Sequence, residues 1–216
     1  MDVNDIATRI ANIILSPDSI TGLINGALTV PLDFGYLVYG YLDTESRYRH
    51  GTERIRMATA IKNDILNRES IMESISNIFD TFNQSVPESD QDKVYRAIIS
   101  SIIGRMVTNT IIAKITSAVL ERVSFIAATS STKPIAILST VLLLGGMIER
   151  SIRTSEDLQQ NNPEIYAILR PKDYDLLYFL IEPAVKPFVD AIHARKTHGD
   201  TTFKKIIELV GKKINA

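Results

Sequence analysis

The chain has 216 residues, 45% of them hydrophobic, and its 24 Lys and Arg against 25 Asp and Glu leave a formal net charge of −1. That composition excludes a disordered or collagen-like chain, and the charge balance leaves no overall positive field for a dedicated nucleic-acid binder. The absence of cysteine excludes thiol catalysis, disulfides, Cys-ligated zinc and iron–sulfur clusters together.

From the N-terminus, Val3, Ile6, Ile10, Ile13 and Ile14 repeat at helical spacing and stop at Ser16-Pro17, which predicts a short amphipathic helix. The opening Met1-Asp2-Val3-Asn4-Asp5 is acidic where a secretory signal is positive, so export without a cleavable signal peptide is the expectation. Ser19 to Leu42 is Gly-punctuated and rich in tyrosine. Its Gly22-x-x-x-Gly26 has the spacing that permits close helix contact in lipid, but Pro31 and Asp33 interrupt the stretch.

Residues 47 to 68 carry six Lys or Arg against two acids, whereas the first 46 carry one Arg against six acids. Arg47, Arg49, Arg54 and Arg56 are the densest basic group. They are candidate surface cations for phosphates of lipid or nucleic acid, with pairing to the neighbouring acidic segment or plain exposure to water as the alternative. From Thr52, Ile55, Ala58, Ile61, Ile65, Met72, Ile75, Phe79 and Phe82 are spaced by three, four or seven. This predicts one long helix ending at Ser85-Val86-Pro87. A weak capping box at Ser89 and Asp92 opens another through Val94, Ile98 and Ile102.

Ala97 to Ile148 holds only five charged residues in 52: Arg105, Lys114, Glu121, Arg122 and Lys133. Two apolar helices are predicted there, Asn109 to Ala128 and Lys133 to Ser151, joined by a tight turn at Thr129-Ser130-Ser131-Thr132. The longest uncharged run, Pro134 to Ile148, has 15 residues, short of the roughly 20 that span a bilayer as a helix. Past Thr154, prolines 163, 171, 183 and 187 punctuate short helical pieces, one of them running from Pro171 toward Ile181. The end is plainly amphipathic: Phe203, Ile206, Ile207, Val210 and Ile214 lie among Lys204, Lys205, Lys212 and Lys213, with Asp200 as the candidate N-cap.

The expected fold is therefore all-α, a compact multi-helix bundle around a central apolar hairpin over about 109–151, with an amphipathic helix over about 200–214. No linker divides residues 1–216, which read as a single domain. His50, His193 and His198 lack the spacing of a zinc pair and are expected to be solvated or capping residues. Ser130-x-x-Lys133 lacks the companion motifs of acyl-transfer enzymes, and no phosphate-binding glycine loop or Gly-x-Ser-x-Gly elbow occurs. Glu69 with Glu73, or Asp173 with Asp175, could meet as acid and base, but such pairs usually form a solvated face. No catalytic residue, metal, cofactor, nucleic acid or small-molecule substrate is indicated.

In organisation the apolar hairpin wrapped by amphipathic helices is similar to the pore-forming domains of colicin-type bacteriocins. The arms here are shorter, with Lys114, Glu121 and Arg122 where that family's hairpin is uncharged. The resemblance implies a secreted bacterial toxin or effector, soluble in the producing cytoplasm, whose hairpin enters an anionic target membrane. Ile135, Ile137, Leu138, Val141, Leu142, Leu143, Leu144 and Ile148 would insert. Lys114, Glu121, Arg122 and Lys133 at the hairpin edges would set depth and ion preference. The alternative is a non-enzymatic interaction module that binds another protein, such as a cognate immunity or chaperone protein.

Overall fold

The computed structural model describes residues 2–27, 35–36, 43, 47–86, 97, 100–102, 104, 110–128 and 134–215, without the side chains of 47–49 and 125–144. Among the described residues all regular structure is helical. The main helices are α1 (Val3–Leu15), α2 (Ser19–Ala27), α3 (Arg47–Lys62), α4 (Arg68–Gln84), α5 (Thr110–Ala128), α6 (Pro134–Asn161), α7 (Pro163–Leu169), α8 (Tyr178–His198) and α9 (Asp200–Ile214). Two 3-10 turns, Arg170–Lys172 and Tyr174–Leu176, connect α7 to α8.

α1 begins where Asp2 caps it, its carboxylate accepting from the Asn4 N–H at 2.8 Å, and it buries Ile6, Ile10, Ile13 and Ile14. α9 lies along α1 and α8 and buries Phe203, Ile206, Ile207 and Val210. Its start is set by Gly199 at φ 84, a left-handed backbone that glycine adopts without strain; Asp200 sits in the first turn and accepts from Arg195. The apolar stripe predicted for this helix is thus spent on the bundle.

The element with most neighbours is α8, which touches α1, α2, α4, α5, α6 and α9 and buries most of its side chains from Tyr178 to Ala194. It runs unbroken through Pro183 and Pro187, where the sequence predicts a bend or restart. A proline removes one backbone bond, and burial of nearly every side chain around these two outweighs that loss. Phe188 stands edge-on to Phe79 at 5.0 Å and to Phe82 at 5.4 Å, and Phe82 lies 5.5 Å from Phe203, tying α8 to α4 and α9.

The predicted single helix from Thr52 to Phe82 is two. Asp64 takes a left-handed φ of 59, and Asn67 restarts the helix by accepting from the Ser70 N–H at 2.8 Å. Ile65 stays buried across the break, so the apolar period continues although the backbone does not. Ile55, at 70% exposed, and Ile61, at 39%, face outward. The piece expected from Pro171 is instead the pair of 3-10 turns, with Asp173 at φ 60 between them.

Both expected arms are present as helices α5 and α6, the second running ten residues beyond Ser151. The proposed turn at 129–132 lies outside the described residues, as does most of the predicted helix from Ser89. No helix of the described residues is long and apolar enough to cross a membrane.

Candidate functional site

α3 is attached to the bundle chiefly through charge. Of its described side chains the apolar Met57 and Ala60 are buried, and so is His50; the remaining ties are ionic and fall into two clusters. The first joins α3 to the 3-10 turns. Arg56 donates to Glu53 Oε2 at 2.6 and 2.9 Å, to Asp173 Oδ1 at 2.7 Å, and to both Asp175 oxygens at 2.6 and 2.9 Å. Arg170 donates to both Glu53 oxygens at 3.0 and 3.1 Å and to Asp175 Oδ2 at 3.2 Å. Ser155 of α6 donates to Asp175 at 2.5 Å.

Asp175 is completely buried. Burial pushes its carboxyl up, but hydrogen bonds from Arg56 and Ser155 and the charges of Arg56 and Arg170 outweigh it, leaving the group below the ordinary aspartate range. Glu53 is held low in the same way, with burial opposed by Arg170 and Arg56. Asp173, at φ 60, joins the two 3-10 turns that carry Arg170 and Asp175.

The second cluster joins α3 to α6. Glu149 accepts from His50 Nδ1 at 3.0 Å, from Arg54 at 2.8 Å and from Arg153 at 2.8 Å. His50 Nε2 faces Glu156 at 3.3 Å, and Arg153 also donates to Asp43 at 2.9 Å. Further along the same helix, Arg150 donates to the Ala27 carbonyl at 2.8 Å beneath the Phe179 ring, and Ser151 donates to the Leu176 carbonyl at 2.7 Å. From Glu149 onward, α6 is fastened by a succession of charged and hydroxyl side chains.

The sequence-predicted residues are distributed unevenly around these clusters. Arg56 is no surface cation: with three carboxylates around it, only 16% of its side chain is exposed. Arg54 is half exposed and reaches Glu149, and the side chains of Arg47 and Arg49 are outside the described residues. Arg54 and Arg56 pair with acids about 100 residues on. His50, expected to be solvated or capping, is buried because two carboxylates of α6 converge on its ring. Among the hairpin-edge residues, Lys114 pairs with Asp18, Glu121 is exposed, Arg122 is half-buried and Lys133 lies outside the described residues. Ile148 is half-buried; the side chains of Ile135, Ile137, Leu138, Val141, Leu142, Leu143 and Leu144 are not described.

Glu69 and Glu73 help to line an open groove of about 370 Å³ on α4 with Arg68, Met72 and Ser76, where Glu73 accepts from Tyr174 at 2.7 Å and pairs with Lys172. Gly22 and Gly26 lie on the exposed face of α2, where an added Cβ would meet nothing within 4 Å among the described residues. Among the described residues no group of three or more His, Asp or Glu side chains could hold a metal ion. Comparison with protein-family models, with curated proteins and with solved structures finds no match in any of the three. What the two clusters can do chemically is hold: each carboxylate in them faces a guanidinium or the imidazole, the arrangement of a clamp.

Proposed function

We propose that the protein is a conditionally membrane-active helical bundle of the pore-forming type, a toxin or effector whose apolar arms leave the bundle and enter an anionic bilayer. The observation that carries this reading is the change of character along α6 at residue 149. Before it lie 15 uncharged residues, and after it come the ionic and hydroxyl contacts that fasten the helix to α3, to the end of α2 and to the second 3-10 turn. Ionic fastenings can be exchanged for lipid phosphates, whereas a purely apolar packing has no such competitor at a membrane surface. At 1.5 Å per residue the uncharged run of α6 reaches about 22 Å into a hydrocarbon core of about 30 Å. Insertion is therefore partial, with Lys114, Glu121 and Arg122 of α5 left at the interface, and permeation arises from a thinned bilayer or several copies together.

The test is dye leakage and flotation with anionic liposomes at neutral and mildly acid pH, comparing wild type with Val141→Asp. Leakage lost in a variant that keeps its circular dichroism spectrum supports insertion through α6. A second reading, binding of a partner protein, is favoured by the exposure of Ile55 and Ile61 on α3. Absence of leakage and flotation at both pH values would leave that reading, in which Ile55→Glu and not Val141→Asp abolishes activity.

A further inference from the structure

We propose that the lysine face of α9 is the surface on which this protein docks to an anionic bilayer, before any apolar segment leaves the bundle. Charge is segregated along the chain. Residues 195–216 carry six Lys and Arg against two acids, whereas the preceding 194 carry 18 against 23. A molecule with a formal net charge of −1 is not drawn to an anionic surface as a whole, so attraction requires a basic end turned toward it.

α9 supplies that end. It packs chiefly on α1 and α8, burying Phe203, Ile206, Ile207 and Val210, and its exposed residues are Asp200, Thr201, Lys205, Lys212 and Lys213. Lys205 and Lys212 are two turns apart, about 10.5 Å along one line of the helix. Lys213 stands beside them, and Lys196 is exposed in the last turn of α8, just before the Gly199 joint. Asp200 is taken up by Arg195, which leaves the half-buried Glu208 as the other carboxylate of the helix. Among the described residues, Lys196, Lys205, Lys212 and Lys213 form no ion pair, whereas Arg9, Arg56, Arg153, Arg170 and Lys186 are each held by carboxylates. The positive charge of α3 is consumed within the fold; that of α9 is not.

The chemistry of this face selects a bilayer. Lysine is a compact point charge without the planar fork by which arginine grips a phosphate or a guanine, and α9 exposes no aromatic ring on which a base could stack. A row of independent charges along one helix matches the diffuse negative layer of anionic headgroups, where each lysine strengthens partitioning by roughly fivefold. Because the apolar stripe of α9 is buried, docking leaves the helix on the bundle and inserts nothing by itself. Docking of this kind rests on the anionic bilayer of the proposed function, and not on entry of the arms.

The experiment is flotation of the whole protein with vesicles of phosphatidylcholine alone or mixed with phosphatidylserine, at neutral pH and at low and high salt, with dye release read from the same samples. Wild type is expected to float with the anionic vesicles only and to be released by salt. Lys205→Gln with Lys212→Gln should weaken that partitioning by roughly 10- to 30-fold. Lys62→Gln with Arg68→Gln removes two exposed cations outside this face, with the same change in net charge, and should leave partitioning within about twofold of wild type. Val141→Asp should float as wild type does even where it loses dye release, so docking and insertion fail separately. Lysine-dependent flotation without dye release supports docking and overturns insertion. Equal weakening by the two double variants, flotation that ignores lipid charge, dye release indifferent to the lysines, or binding of duplex DNA without flotation would each overturn the proposal.

Discussion

Replacing Asp175 by Asn removes one charge from the centre of the first cluster with almost no change in shape. Asp175 is fully buried and accepts from Arg56, Arg170 and Ser155. The amide loses the charge and turns an N–H group toward guanidinium donors, leaving two partly buried arginines with fewer acceptors. Arg56 keeps Glu53 and Asp173, and Arg170 keeps Glu53. The expected loss is therefore about 3 kcal/mol, the bottom of the ~3–5 kcal/mol found when one partner of a buried pair is removed. For a chain of this length that lowers the melting temperature by roughly 6–12 °C. Asp173→Asn is the internal control: its side chain is 39% exposed, so its pair with Arg56 is worth at most ~1 kcal/mol and is screened by salt. Urea unfolding followed by circular dichroism at neutral pH, at low and high salt, separates the two. Because Asp175 and Glu53 are held below their ordinary ranges, the stability they contribute is present above about pH 4 and is lost as pH falls through the folded values. The variant should accordingly show a shallower acid limb than wild type. A loss equal to that of Asp173→Asn, or one that disappears in salt, would refute the assignment of Asp175 as the buried anchor of α3.

Two further outcomes follow from single positions. Gly199→Ala should cost about 1–3 kcal/mol by thermal unfolding, since φ 84 with ψ 173 belongs to a region nearly restricted to glycine; an added Cβ meets nothing within 4 Å, so a neutral result would mean that the α8–α9 joint relaxes freely. Asp190→Asn should raise the melting temperature at neutral pH: burial pushes this carboxyl up more than Lys186, Arg9 and His193 pull it down, so its ionised form opposes folding. That gain should shrink as pH falls and the wild-type group takes up its proton; a destabilised variant would show that the pairs with Arg9 and Lys186 outweigh burial.

The helices that are legible in the sequence bury one face and are bounded by a strong local signal. α1 ends at Ser16-Pro17, and α9 shows a clean 3.6-residue stripe, although its cap is Gly199 and not the Asp200 that the sequence suggests. The break between α3 and α4 escapes this logic because Ile61, Ile65 and Met72 keep helical spacing across it, and only the Asn67 cap marks it. α8 escapes it for the opposite reason: its two prolines signal interruption, while surrounding helices on nearly every side override the signal. The charge clusters are invisible for a more general reason. His50 and Glu149 are 99 residues apart, and Arg56 and Asp175 are 119 apart, so no spacing along the chain encodes either contact. The excess of arginine over 47–68 against a nearly neutral total was the available hint, and it pointed to the basic half of each pair alone.

The directions in which these groups titrate constrain how α6 can be released. Mild acid leaves Glu53 and Asp175 ionised, since both are held low. Mild acid therefore does not open the joint between α3 and the 3-10 turns. What opposes the joint between α3 and α6 is a dense anionic surface, which offers phosphates to Arg54 and Arg153 in place of Glu149 and Asp43. If the arms enter a membrane, leakage should then rise with the fraction of anionic lipid and fall with added salt, at neutral as well as mildly acid pH. Leakage that requires acid and ignores lipid charge would place the trigger in other groups, Asp190 beside Arg9 and Lys186 first among them.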